Sequence, residues 1–237
     1  MSGNGPRVAI VTGASQGIGA GLVAGYRAQG WAVVANSRAI KPSDDQAVLT
    51  VEGDVSQPAT ADRIVTGALE RFGRIDTLVN NAGVFIGKPF TDYTFDDYQL
   101  VVNVNLTGFF LVTQRVITEM LKRGSGHVVN ISTTMVEHAH STSPALLATL
   151  SKGGLVAATR SLAIEYASRG IRANAVSLGV IETPLNPPEA FAELAKLHPM
   201  GRVGQVSDVV EGILYLESAP FVTGEILHID GGQSAGA

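Results

Sequence analysis

The chain has 237 residues, of which 45% are hydrophobic and 16% are charged, and its net charge is −4. This length and composition are typical of one α/β domain with a full core and exclude a disordered chain. The charge argues against a nucleic-acid partner. No apolar run approaches the roughly 20 residues that cross a bilayer, and without cysteine there are no disulfides or thiolate sites. We expect a cytoplasmic protein that binds neither nucleic acid nor membrane.

Short apolar runs alternate with longer amphipathic stretches along the whole chain. The runs predict seven strands, at Val8–Val11, Ala32–Ala35, Val48–Val51, Thr77–Val79, His127–Ile131, Arg172–Val176 and Ile226–Ile229. The stretches between them predict helices over about 17–29, 58–72, 94–122, 145–168 and 205–217. Apolar strands that alternate with helices are typical of a doubly wound parallel sheet. The fold class is therefore α/β, as a single Rossmann-type domain over residues 1–237.

A glycine-rich turn, Thr12–Gly19, stands between the first predicted strand and the first predicted helix. Glycines at this place allow a tight turn and let the backbone approach a pyrophosphate, which then rests on the helix N-terminus. The position after the first strand makes the signal much stronger than a glycine cluster alone. We therefore predict a dinucleotide site that includes Gly13, Ser15, Gln16, Gly17, Ile18 and Gly19.

The end of the second strand indicates which dinucleotide is bound. NAD sites place an acidic side chain there for the ribose hydroxyl, whereas an arginine accommodates the 2′-phosphate of NADP. No Asp or Glu occurs from Met1 to Ser43, and the strand runs into Ser37 and Arg38. The Arg38 guanidinium can bind the phosphate through two N–H groups, with the Ser37 hydroxyl as a further donor. This pattern favours NADP(H) over NAD(H).

The segment from Pro184 to Met200 interrupts the alternation late in the chain. It predicts a long loop with a short helix, Glu189 to Leu197, outside the sheet. Ligands of such folds bind beyond the carboxyl ends of the strands, where this loop would lie. We expect a substrate loop at about 184–200, and its apolar face of Phe191, Leu194 and Leu197 indicates an apolar substrate.

Several separated motifs occur together in one order: the Thr12–Gly19 turn, Asn80–Gly83, Ser151–Gly154, Phe221–Glu225 and Ile229–Gly232. With these motifs the chain resembles the short-chain dehydrogenase/reductase family nearly end to end. The resemblance implies a seven-stranded parallel sheet and hydride transfer between NAD(P)(H) and a small carbonyl or alcohol. It also implies a homo-oligomer, a tetramer or a dimer.

The resemblance assigns roles to matching positions. It places Asp54 and Val55 beside the adenine ring; Asn81, Ala82 and Gly83 along the adenine ribose; and Gly179, Ile181 and Thr183 near the nicotinamide. Asn105 matches the active-site asparagine that holds a water in a proton relay, and Lys152 matches the lysine that binds the nicotinamide ribose. Thr133 is the better match to the substrate-orienting hydroxyl, with Ser132 as the other candidate. No metal is expected.

The tyrosine of the family's Tyr-x-x-x-Lys pattern is missing. Ala148 stands four residues before Lys152, and the stretch from Thr133 to Ala148 is about two residues longer than usual in the family. Leu178 is a second departure, since the family usually has proline before Gly179. General acid catalysis contributes about 10²–10⁴-fold, so another solution is required for carbonyl reduction.

Three readings of the missing phenol remain open. In the first, another group donates the proton; the candidates are Ser132, Thr133, Thr134, Thr149, Glu137, His138 and His140. In the second, the substrate is an iminium ion or an activated alkene, which requires no tyrosine acid, and Ala148, Met135 and Leu178 form an apolar site with Glu137 nearby. In the third, the chain binds NADP(H) without turnover, as a sensor or scaffold.

Overall fold

The strands and helices alternate as the sequence predicts. The computed structural model describes residues 5–139 and 143–236. The strands are β1 (Val8–Thr12), β2 (Ala32–Ser37), β3 (Val48–Glu52), β4 (Thr77–Asn80), β5 (Gly126–Thr133), β6 (Ile171–Leu178) and β7 (Ile226–Ile229). The helices are α1 (Gly17–Ala28), α2 (Pro58–Phe72), α3 (Phe95–Val101), α4 (Gly108–Arg123), α5 (Leu146–Tyr166), α6 (Phe191–Leu194) and α7 (Val206–Ser218).

The seven strands form one parallel sheet in the order β3-β2-β1-β4-β5-β6-β7. The predicted fold class and the seven-stranded parallel sheet are confirmed. The chain reverses its winding direction between β1 and β4, where Val11 pairs with Val79. Crevices at such a reversal, beyond the carboxyl ends of the strands, are where ligands bind in doubly wound folds.

Helices cover both faces of the sheet, because alternate strand residues point to opposite sides. One face buries Ile10 and Leu78 with residues of α2 and α4, and the other buries Val11 and Val33 with residues of α1 and α7. Strands buried on both faces explain the unbroken apolar runs of the sequence. The buried clusters on the two faces of the sheet hold the carboxyl ends of the strands in fixed positions.

The predicted single helix over 94–122 is wrong in one respect. A π-helical segment, Val102–Thr107, separates α3 from α4. A π segment inserts an extra residue into the helix, and such insertions occur frequently at functional sites. The side chain of Asn105 lies within it and is bonded to neighbouring elements.

The stretch Phe95–Arg123 also corrects an expectation about membranes. Its 29 residues, with a mean hydropathy of 1.4 over the most apolar window, are long and apolar enough to cross a bilayer by length and composition alone. Within the fold it contributes Val112, Val116 and Met120 to the buried core. The core helix of a globular domain meets the same criteria.

Candidate functional site

The glycine turn forms a cradle that side chains would fill. Gly13 and Gly17 adopt φ angles of 66° and 52°, which favour glycine. A Cβ on Gly19 would lie 2.2 Å from the carbonyl oxygen of Gly13. Gln16, the N-cap of α1, makes no capping hydrogen bond with its side chain among the described residues. The first amides of α1 are therefore free of a side-chain cap at a helix N-terminus, which is a place for an anion such as a pyrophosphate.

Asn81 fixes this turn against the end of β4. Its Nδ2 donates to the carbonyl oxygens of Thr12 at 2.8 Å and Gly13 at 3.1 Å. In return, the Thr12 hydroxyl oxygen accepts from the amides of Asn81 at 3.1 Å and Ala82 at 3.0 Å. These four bonds bridge the winding reversal, so the cradle does not depend on local turn geometry alone.

The end of β2 lies beside the cradle. The Ser37 hydroxyl donates to the Ser15 hydroxyl at 2.9 Å, and Arg38 is exposed at the cavity edge. Asn36 is fully buried, and its Oδ1 has no hydrogen-bond partner among the described residues. A cationic fork, two hydroxyls and an unsatisfied buried acceptor fit the phosphorylated ribose and the base of a dinucleotide.

A single cavity of about 600 Å³ runs from this end to the ends of β5 and β6. All of the predicted cofactor residues line it, and so do the predicted catalytic residues Ser132, Thr133 and Lys152. The structure thus brings together residues from many parts of the sequence. Their individual roles stay predictions, because position alone does not establish them.

Lys152 lies on α5 and faces the cavity. Its Nζ donates to the carbonyl oxygen of Ile131 at 2.8 Å, and a Cβ on Gly83 would lie 3.2 Å from it. Burial lowers the pKa of Lys152 from 10.5 to about 8, because an apolar environment disfavours the ammonium. The side chain is therefore a stronger acid than an ordinary lysine.

Asn105 is the predicted residue that does not line this cavity. Its Oδ1 accepts from the amide of Val84 at 2.8 Å, and its Nδ2 donates to the Val84 carbonyl at 3.1 Å and the Ser151 hydroxyl at 3.0 Å. It lines a separate small cavity of about 10 Å³, close to the volume of one water. The side chain joins the segment after β4 to α5, and its proposed relay role stays a prediction.

Ala148 lies buried on the cavity wall, one turn before Lys152. Three hydroxyls near it are bonded to protein oxygens: Ser132 to the Lys152 carbonyl at 3.5 Å, Thr134 to Gln233 at 3.1 Å and Thr149 to the Met135 carbonyl at 3.5 Å. The Thr133 oxygen accepts from the amide of Met135 at 3.4 Å. No acceptor on a described residue bonds the Thr133 hydroxyl proton, and Thr133 lines the cavity.

The structure corrects the expectation for Glu137. Its carboxylate contacts Nε2 of His228 at 2.5 Å, and it is not among the described residues that line the cavity. His138 is exposed and does not line the cavity either, whereas the candidate His140 lies outside the described residues. Thr149 is likewise absent from the described cavity wall. The prediction that the Glu137 carboxylate lies near a bound iminium substrate is therefore wrong.

The segment 184–200 lies over the far end of the cavity. Leu185, Leu194 and Leu197 line the wall, but Phe191, predicted to share this apolar face, is not among the described lining residues. The short helix is three turns of different type, Pro188–Ala190, α6 and Ala195–Leu197. Phe191 is half-buried outside the described cavity wall, so its predicted place on this face is wrong.

Sequence analysis missed His198, which anchors this segment. The imidazole is buried; Nε2 accepts from the amide of Val180 at 3.0 Å, and Nδ1 lies 3.1 Å from the Leu194 carbonyl oxygen. Both bonds are satisfied together by the neutral tautomer with a proton on Nδ1. Phe85 and Gln233 of the cavity wall were also missed. Only the position of His198 within the predicted loop could have drawn attention to it.

Comparisons with known proteins agree with this geometry. Residues 13–234 match the family model described as Enoyl-(Acyl carrier protein) reductase. 3beta-hydroxysteroid dehydrogenase 1 of Eggerthella lenta is 36% identical, over 96% of this chain and 94% of that protein. Two solved structures are similar: ElxO with NADP bound (TM-score 0.91, 27% identity, 98% and 100% of the two chains) and 3-ketoacyl-(acyl-carrier-protein) reductase of Brucella melitensis with NADH (0.88, 31%, 96% and 98%).

Proposed function

The chain belongs to the short-chain dehydrogenase/reductase family of oxidoreductases, and from this premise we propose that it transfers a hydride between NADP(H) and a small apolar carbonyl or alcohol substrate without a tyrosine acid. The continuous cavity carries this proposal, because it joins the glycine cradle to Thr133 and Lys152. When bound, the reduced nicotinamide supplies the hydride. The residues of the chain bind the dinucleotide, orient the substrate and supply the proton.

The preference for NADP(H) is supported by charge at the end of β2. Arg38 and Ser37 line the cavity there, and no acidic residue precedes Asp44. A carboxylate at this place would repel the 2′-phosphate, whereas a guanidinium binds it through two N–H groups. The similar structure with NADP bound agrees with this preference. The similar structure with NADH bound shows that the preference has to be measured for this chain.

An apolar substrate is supported by the far wall of the cavity. Phe85, Leu178, Leu185, Leu194 and Leu197 surround the end that Ala148 and Thr133 share. Apolar walls with a few polar groups are typical of sites that bury most of a small ligand. The relative named as a hydroxysteroid dehydrogenase agrees with an apolar ligand in a cavity of this kind.

Reduction of iminium ions is the second candidate function, and Ala148 favours it. An iminium carbon accepts a hydride and becomes a neutral amine, so no acid is required. The apolar wall without a tyrosine suits such a substrate, although Glu137 is not there to attract its charge. Preference for an iminium over the ketone of the same shape would support this function instead.

The experiment that tests the proposal is an NADPH oxidation assay over matched ketones, aldehydes, imines and activated alkenes. We expect slow turnover of apolar ketones, and a gain with Ala148→Tyr, which restores a phenol one turn before Lys152. Tight NADPH binding without oxidation by any substrate would contradict the proposal and favour a sensor or scaffold. The control is Leu150→Tyr, which adds the same side chain at an exposed position of α5.

We propose further that the chain forms homo-oligomers. Phe110 on α4 and Leu146 and Leu150 on α5 are large apolar side chains that are about half exposed. Where such side chains form one contiguous patch, the surface is typical of one that another protein covers. Light scattering across a concentration series measures the state, and a monomer at all concentrations would contradict the proposal.

A further inference from the structure

The chemistry of the cavity wall limits the sources of a proton. Among the described residues that line it, the ionisable side chains are Arg38, Asp54 and Lys152. Arg38 and Asp54 follow β2 and β3, at the end where the dinucleotide base and its ribose fit. Lys152 is therefore the ionisable group of the described wall at the end where the substrate fits.

The surroundings of the Lys152 ammonium leave it able to give up a proton. Of its three N–H groups, one donates to the Ile131 carbonyl, and no other acceptor on a described residue bonds to Nζ. Ala148, one turn earlier on the same helix, presents only a methyl group to the cavity. At position 148, therefore, no phenol lies between the Lys152 ammonium and the part of the cavity where the substrate fits.

We propose that Lys152 is the proton donor of this site, giving a proton from Nζ to the substrate oxygen; the inference rests on the proposed carbonyl reduction. The low pKa of about 8 that burial imposes makes the transfer feasible near neutrality. Thr133 then orients the oxygen with its free hydroxyl proton, and it does not have to ionise.

The step balances in atoms and charge. Carbonyl reduction adds a hydride, with its electron pair, to carbon, and it adds a proton to oxygen. An N–H bond of Lys152 breaks as the O–H bond forms, which leaves a neutral amine. A proton from solvent water restores the ammonium, so the chain is unchanged after each turnover.

The test uses two probes with the same fused bicyclic frame and a benzylic reacting carbon, 1-tetralone and N-methyl-3,4-dihydroisoquinolinium, with the full chain and saturating NADPH. The ketone requires a proton and the iminium does not. We expect Lys152→Arg to lower ketone turnover about 100-fold or more, because a guanidinium keeps its proton. Iminium turnover should fall much less than ketone turnover, because hydride transfer to an iminium carbon requires no proton.

Two further measurements separate proton donation from support of the cofactor. Ketone turnover by the wild-type chain should fall as the pH rises through about 8, whereas iminium turnover should not. In the absence of NADPH, the lysine ¹³Cε NMR signal that Lys152→Arg removes should titrate near the same pH. A Lys152 signal that titrates at the ordinary value of 10.5 would overturn the inference.

The remaining outcomes are equally decisive. Ketone turnover retained in Lys152→Arg, or lost in His140→Ala with Lys152 intact, overturns the inference and leaves the proposed function standing. Equal losses for both probes in Lys152→Arg overturn it too, since the lysine then only holds the cofactor. A wild-type chain that oxidises NADPH with neither these probes nor the wider substrate panel overturns the proposed function, and the inference with it.

Discussion

Lys152 and Ala148 occupy successive turns of α5, and both line the cavity. The lysine is held by the Ile131 carbonyl and has no carboxylate partner among the described residues. A buried cation without a counterion destabilises the fold, as groups at functional sites often do. The methyl group of Ala148 makes no hydrogen bond or ion pair that would offset the free energy of burying the Lys152 cation.

Lys152→Met should therefore stabilise the cofactor-free protein at pH 7 by about 1–3 kcal/mol. The pKa of Lys152 is lower in the folded state, about 8, than its ordinary value of 10.5. The unfolded chain consequently binds more protons between these values, so wild-type stability rises with pH across that window. The advantage of the variant should shrink by pH 10.5, as measured by urea denaturation. An advantage that is equal at both pH values would indicate a packing effect.

Arg38→Leu should weaken NADPH binding about 10- to 100-fold and leave NADH binding within a few fold. A hydrogen bond to a charged group contributes about 1.5–3 kcal/mol, and only NADPH carries the 2′-phosphate. Nicotinamide fluorescence measures both dissociation constants. Lys41→Leu is the matched control, because Lys41 is exposed nearby but is not among the described cavity residues. Equal weakening of both cofactors would contradict the assignment.

At the scale of elements, the segment 184–200 depends on a contact that it makes with the backbone directly after β6. His198 ties the Leu194 carbonyl to the amide of Val180, which lies directly after Gly179. A Cβ on Gly179 would lie 2.6 Å from Nε2, so the imidazole packs directly on this backbone. The leucines of the substrate wall are thereby fixed relative to the end of the sheet.

His198→Phe should weaken binding of an apolar ketone about 10-fold and should weaken NADPH binding by less. The variant leaves the Val180 amide buried without an acceptor, which costs about 1–3 kcal/mol. Hydrogen exchange of segment 184–200 should become faster, and His198→Gln, which keeps an acceptor, should restore part of the protection. Lys196→Ala on the same segment is the control, since Lys196 pairs with exposed Glu193. Unchanged exchange in His198→Phe would contradict this role.

Local sequence patterns predicted the strands, most helix bounds and the glycine cradle, because each depends on periodicity or on a turn. They did not predict the π segment at Asn105, where apolar periodicity continues through an inserted residue. Nor could they predict that Glu137 pairs with His228, which is 91 residues away. Contacts of this kind depend on the assembled sheet. The sequence predicted that part of the segment 184–200 forms an apolar wall. Which residues line that wall could be seen only in the folded structure.

At the scale of the whole molecule, a second polar centre lies buried at the opposite end of the sheet from the cavity. Glu217 of α7 accepts from the Tyr26 hydroxyl at 2.7 Å and the Thr77 hydroxyl at 3.0 Å, and it contacts His127 at 3.1 Å. Burial raises the pKa of Glu217, but His127 and the two hydroxyls outweigh burial and hold it below 4.5. The cluster joins α1, β4, β5 and α7.

Glu217→Gln should lower the free energy of unfolding by about 3 kcal/mol at pH 7. Since the pKa of the carboxylate is depressed by folding, its contribution is present above 4.5 and is lost as the pH falls below that value. The difference between variant and wild type should therefore narrow in acid, as measured by urea denaturation at several pH values. Glu211→Gln, exposed on the same helix, should change stability by less than about 0.5 kcal/mol. A pH-independent difference would contradict the role of charge.

We expect the methyl group of Ala148, on the cavity wall, to set also how wide a substrate can be beside the reacting atom. A tyrosine there would crowd the neighbouring carbon, whereas alanine leaves room for branching on both sides of it. Substitutions of increasing size at this position, from glycine through valine to phenylalanine, would measure the width of substrate that the cavity accepts. Hindered ketones should be rejected first as bulk increases, while slender ones still enter. We therefore expect position 148, which carries no phenol, to be the position that sets tolerance for substrate shape.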